Sequence, residues 1–201
     1  IHCGLKDQFG ELWFGTADGI SVYNPKKENF RSLLASDENN LSIEGISEEY
    51  NGNIWVGSST HGLAKYDRTT KKISFLTGSI PSKRIHYIKF ITKQELLVSF
   101  EDVGVYTYNV KTQKWKSLAP PNIRKTWLVS DVELFSENSY ILSSNEGLWL
   151  FDVKTQKLFP FLKFIGEDYG IEEFSDVYVK STAEFYIATV NNGLISVNSS
   201  H

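Results

Sequence analysis

Tyr50-Asn51-Gly52-Asn53-Ile54-Trp55-Val56-Gly57-Ser58 is the stretch whose reading decides the fold. Asn-Gly is the strongest short hairpin signal, and the run behind it has strand length, β-branched and aromatic residues, and a small residue near its end. The same series returns four more times. Glu11 to Thr16 follows Phe9-Gly10, Glu95 to Phe100 follows Lys93-Gln94, Ser139 to Ser144 follows Glu137-Asn138, and Glu184 to Thr189 follows Thr182-Ala183. Both pleat faces of these runs are apolar, so each sheet is expected to be covered on both sides. The small residue (Gly15, Gly57, Ser99, Ser143, Ala188) marks where a neighbouring sheet has to come close.

Outward from this strand the pattern stays regular. A polar loop ends in Gly19, Gly62, Gly104, Gly147 or Gly193, a spacing of about 42 to 46 residues, which suits four-stranded propeller blades or two-helix units. A glycine in all five copies implies a backbone conformation or close approach that other residues resist. The third strand follows: Ile20 to Tyr23, Leu63 to Tyr66, Val105 to Tyr108, Leu148 to Phe151 and Leu194 to Val197. It stops at Asn24, Asp67, Asn109, Asp152 or Asn198, residues that bond their own backbone two positions on and so start a turn. The pentapeptide Val110-Lys111-Thr112-Gln113-Lys114, copied letter for letter at Val153 to Lys157, is the rest of that turn. A fourth strand is expected at Phe30 to Leu33, Ile73 to Leu76, Trp115 to Leu118 and Leu158 to Phe161; Pro160 inside the last one makes it an edge. The first strands, such as Ile85 to Ile91, Leu128 to Phe135 and Phe174 to Lys180, are more polar and would line a central channel. No unit holds a stretch of about ten residues with helical apolar spacing. The chain reads as all-β, a β-propeller with blades at about 1–35, 41–77, 84–119, 127–164 and 173–198. Four blades are complete and the fifth lacks its outer strand, so the ring, of about seven blades, is expected to continue beyond this segment. Expressed alone, the segment should expose sheet edges and self-associate.

Composition narrows the function. The 21 basic and 24 acidic residues are interspersed, net −3, so no basic stripe points to nucleic acid. No apolar run approaches the roughly 18 residues of a membrane-spanning helix. The single cysteine, Cys3, allows no internal disulfide, and the lack of methionine suggests that Ile1 lies inside a longer chain. His2, His61, His86 and His201 have no metal-ligand spacing, and the glycines are spaced by blades rather than as a phosphate loop, so no metal or cofactor is expected.

At Gly52 to Ser58 with Gly62-Leu63-Ala64-Lys65-Tyr66-Asp67, the chain resembles the two-component regulator propeller repeat, and Gly10 to Thr16 with Asp18 to Pro25 looks like a second copy. The later repeats keep the glycine and the apolar third strand but lose the tryptophan. The resemblance implies the periplasmic sensor region of a hybrid histidine kinase of Bacteroides-like bacteria, controlling polysaccharide use. It also implies a homodimeric, membrane-anchored parent whose further blades and domains are this segment's partners, an oligosaccharide as ligand, and no catalysis in the segment itself.

Trp13 and Trp55 could stack a sugar, but their mid-strand positions favour packing between blades. Trp127, in a connection between blades near Arg124 and Lys125, could contact a ligand or another domain, although packing is the favoured reading there too. Loops joining second to third strands carry Asp18, His61, Glu101, Asp102, Asn145, Glu146, Asn191 and Asn192; the connections Ser36 to Asn40, Gly78 to Arg84, Pro120 to Trp127 and Gly166 to Glu172 open on the same face. That face is the expected ligand site, with Asp18, His61, Arg84, Glu101, Asp102, Trp127, Glu146, Asn191 and Asn192 as its candidate residues. Glu101-Asp102 with Glu146 could form a glycosidase carboxylate pair, an arrangement that also arises by chance in acidic loops. Asn109 to Trp115 resembles the turn and docking tryptophan of quinoprotein dehydrogenases, which leaves a propeller enzyme as one alternative and a protein-binding scaffold as another.

Overall fold

A computed structural model describes residues 1–34, 41–118, 127–161 and 174–198. These form two compact units, Ile1–Ser117 and Leu118–His201. All nineteen described elements are strands. The first unit holds three four-stranded antiparallel sheets. They are β1 (Cys3–Lys6), β2 (Leu12–Thr16), β3 (Gly19–Asn24) and β4 (Asn29–Leu33); β5 (Ile43–Glu48), β6 (Ile54–Ser58), β7 (Gly62–Asp67) and β8 (Lys72–Phe75); and β9 (Ile85–Phe90), β10 (Glu95–Phe100), β11 (Gly104–Asn109) and β12 (Lys114–Ser117). The second unit holds β13 (Val129–Ser136), β14 (Ser139–Ser144), β15 (Gly147–Asp152) and β16 (Lys157–Phe161), then a three-stranded sheet of β17 (Phe174–Ser181), β18 (Glu184–Thr189) and β19 (Gly193–Asn198). Strands pair in chain order within every sheet, as propeller blades require.

Local chemistry explains the hairpins. Gly19, Gly62, Gly104, Gly147 and Gly193 all have φ between 76° and 108°, the left-handed region where a Cβ is penalised. In the copied turn the left-handed position falls on Gln113 (φ 56°) and Gln156 (φ 55°), with Lys71 and Glu28 as counterparts. The turn starts where expected: the Asn109 side-chain oxygen accepts from the Thr112 amide at 2.9 Å, and Asp152 accepts from the Thr155 amide at 2.7 Å. Asn51-Gly52 departs from a two-residue turn. Only Gly52 takes positive φ, and the loop closes through the Gly52 amide on the Glu49 carbonyl at 2.7 Å. Pro160 lies on β16, an edge of its sheet.

Packing inside the first unit runs sheet on sheet, with β5 against β1 and β2, and β9 against β5 and β6. Trp13, Ile20, Val22, Ile43, Ile54 and Val56 fill one layer; Trp55, Ile85, Ile88, Leu96, Val98 and Phe100 fill the next. Both strand tryptophans are therefore core. Their indole nitrogens donate to turn carboxylates, Trp13 to Asp7 at 2.7 Å and Trp55 to Glu49 at 3.1 Å. Two of the small residues act as expected: a Cβ at Gly15 would sit 2.8 Å from the Ile43 carbonyl oxygen, and one at Gly57 would collide with the Ile85 side chain. Trp115 packs on Tyr108, ring centres 4.5 Å apart, within its own sheet. In the second unit, Ile141, Leu148, Phe174, Val177, Phe185 and Ile187 form the core.

Candidate functional site

Four of the five loops between second and third strands are built by one hydroxyl. The last residue of the second strand (Thr16, Ser58, Ser144, Thr189) turns its oxygen into the loop and accepts backbone amides there. Thr16 accepts from Asp18, Ser58 from Thr60 and His61, Ser144 from Glu146, and Thr189 from Asn192, at 2.9 to 3.2 Å. In the third sheet that position is Phe100, which is buried instead. This device holds Asp18, His61, Glu146, Asn191 and Asn192 in equivalent loops. Its sequence signal is a hydroxyl three or four residues before the glycine, present in four copies.

Within the first unit the expected residues gather in part. Arg84 donates from its Nη2 to Glu101 Oε2 at 2.6 Å, while the Glu101 amide donates to the Arg84 carbonyl at 2.9 Å. Ser82 donates to Asp102 at 3.0 Å and accepts from the Arg84 amide at 3.0 Å, so one connection and one hairpin loop make a single polar cluster. His61 hydrogen-bonds Thr60 through Nδ1 at 2.7 Å and lies against the Phe75 ring. Asp18 stands exposed without a side-chain partner among the described residues. A neighbouring cluster escaped the sequence reading: Glu44 accepts from Ser42 at 2.6 Å and Ser59 at 3.3 Å, and meets His2 Nδ1 at 2.9 Å. Burial opposes ionisation of Glu44, but these hydrogen bonds outweigh it and lower its pKa. No motif brings residues 2, 42, 44 and 59 together; only sheet packing does.

The second unit corrects one candidate. Trp127 is fully buried, its ring edge-on to that of Trp149 at 5.7 Å. It is a packing residue and offers no ligand face. Glu146 and Asn192 lie in the capped loops of β14–β15 and β18–β19, with Asn191 exposed beside them. Ser36 to Asn40, Gly166 to Glu172, and Arg124 and Lys125 lie outside the described residues. Among the described residues no group of three His, Cys, Asp or Glu side chains could hold a metal.

A cleft of about 490 Å³ opens elsewhere in the first unit, where the β3–β4 turn meets the β7–β8 turn. Asp18 and this turn lie at opposite ends of β3, and none of the nine candidate residues lines the cleft. Its wall is an ordered ion network. Arg31 is bidentate to Glu11 at 2.6 and 2.8 Å, and Asn24 donates to the same carboxylate at 3.1 Å. Arg68 reaches from the second sheet to Asp7, to the Gly52 carbonyl and, at 3.4 Å, to Glu11. Hydrogen bonds from Arg31, against the cost of burial, hold Glu11 down at about 2. Tyr66 closes the floor, and Lys27 and Lys71 stand at the rim, exposed.

No protein-family model and no curated protein matches the chain. Solved structures do. The chain is similar to the extracellular domain of one hybrid two-component system from B. thetaiotaomicron with TM-score 0.74 and 16% identity, over 94% of this chain and 25% of that one. A second such domain from the same organism matches with TM-score 0.75 and 16% identity, over 98% and 26%. The WD40 repeats of RRP9 match with TM-score 0.74 and 8% identity, over 100% and 61%. The chain thus spans about a quarter of the length of the first of these structures. At such identities the likeness is one of fold, and the fold is that of β-propeller blades.

Proposed function

We propose that this chain is an extracytoplasmic sensing segment of a hybrid two-component system, and that its ligand is a carbohydrate. The observation that carries this reading is the fold match, over nearly the whole chain, to extracellular domains of such systems. The repeat resemblance at Gly52 to Asp67 supports the same assignment independently of the fold. The loop face, with the Arg84–Glu101–Asp102–Ser82 cluster, supplies charged and hydroxyl groups already held by hydrogen bonds, which suits polar recognition at low entropic cost. Periplasmic placement and a membrane-anchored kinase partner belong to this proposal.

A sensor works only through a difference in affinity between two states; full switching takes about 5.5 kcal/mol of differential binding. Calorimetry of the full-length protein against plant, fungal and host oligosaccharides should find one class that binds and alters autophosphorylation. Arg84→Ala should weaken that binding at least about tenfold by freeing Glu101. If no glycan binds while a protein partner does, the carbohydrate reading falls.

A further inference from the structure

We propose that the cleft between the β3–β4 and β7–β8 turns is an anion site, and that it takes the carboxylate or sulfate group of a small acidic saccharide. The sugar scaffold rests on the sensing reading above; the charge preference rests on the cleft alone.

Four cations and one carboxylate line this cleft, in a chain of net charge −3. Asp7 and Glu11 account for Arg31 and Arg68. That leaves Lys27 and Lys71, whose ammonium groups have no partner among the described residues. The site therefore carries an excess of about two positive charges at its rim. Each guanidinium also has donors to spare. It offers five N–H groups, of which Arg31 spends two on Glu11 and Arg68 spends three on Gly52, Asp7 and Glu11. Their planes are fixed: Arg31 lies over the Trp13 ring at 5.6 Å, and Arg68 lies over the same ring at 5.5 Å and over Phe9 at 4.6 Å. Donors fixed before the ligand arrives lose little entropy on binding it. Glu11 stays ionised at any physiological pH, so the network does not loosen by protonation. Asn29 adds an amide with no side-chain partner among the described residues, suited to a hydroxyl. The volume lies within the range of sites that hold small organic ligands.

Saturation-transfer NMR on the full-length protein, with glucuronate, glucose 6-sulfate and glucose at constant ionic strength, tests this. Transfer is expected to one or both acidic sugars and not to glucose; which one responds tells a carboxylate from a sulfate-ester ligand. Lys27→Ala/Lys71→Ala should raise the acidic sugar's Kd about tenfold, and added salt should weaken binding in the wild type. Lys111→Ala, in the equivalent turn of the third sheet, should change nothing. Equal transfer to glucose, or unchanged binding by the double variant, overturns the anion site. Lysine-dependent binding without any effect of glycans on autophosphorylation would keep the site and overturn the sensing reading. A glycan that alters autophosphorylation, with unchanged acidic-sugar binding by the double variant, would do the reverse.

Discussion

Asp131 and Asp176 show how a single residue reports its surroundings. They sit on the neighbouring strands β13 and β17, where Asp131 accepts from the Val177 amide at 3.1 Å. Partial desolvation beside β13, and then the Asp131 carboxylate, push Asp176 up to about 6 although the residue is exposed. A carboxyl group raised in the folded state binds its proton more tightly there than in the unfolded chain. Stability must then fall as pH rises from the ordinary value of 3.8 to about 6, with the full penalty present above that. The side chain stays open to water, so the slope should be shallow. Asp176→Asn should flatten the melting temperature between pH 4 and pH 7; parallel slopes for variant and wild type would contradict this. Cys3 shows the same direction of shift in a more buried group. Its thiol, next to the Ile43 carbonyl, is pushed up to about 12 and carries no appreciable thiolate at neutral pH.

At the scale of elements, the distance between sheets is set where a side chain is missing. Gly57 on β6 leaves room for Ile85 and Ile88 of the third sheet; a Cβ there would overlap Ile85 and lie 3.2 Å from Ile88 Cγ2. Neither β-branched residue can move aside cheaply. Gly57→Ala should cost about 1–3 kcal/mol in denaturant unfolding with an unchanged m-value. Gly4→Ala on β1, where the nearest atom is 3.7 Å away, should stay within about 1 kcal/mol of wild type or stabilise slightly. Equal costs at both positions would mean that strand propensity, not sheet spacing, selected the glycines. The strands were legible for this reason: a short run of β-branched and aromatic residues, a closing small residue and a recurring glycine are local signals. Observed boundaries differ from the expected ones by a residue or two, as at β8 and β12, because pairing extends into the turns.

For the whole molecule, edges decide behaviour. β19 pairs with β18 on one side, and among the described residues no strand covers its other side; Leu194 on it is 70% exposed. An apolar open edge is a template for pairing with another chain. The 201-residue chain by itself should self-associate with rising concentration in sedimentation runs, and Leu194→Lys should reduce that. A monodisperse wild type would show that this edge is protected.

By itself, the sequence determined the all-β class, the five-fold repeat, the turn built on Asn109 and Asp152, the glycines at positive φ, and the core role of Trp13 and Trp55. Each of these is a matter of neighbours along the chain, where period, size and turn chemistry act over a few residues. Only the tertiary structure decided that Trp127 is buried, that Arg84 closes on Glu101, and that Arg68 joins Asp7 across sixty-one positions to wall a cleft at the end of β3 away from Asp18. Those outcomes depend on which side chains meet when sheets stack. A long charged side chain reads alike in sequence whether it waves in solvent or bridges two blades, and its partners are chosen by packing rather than by spacing.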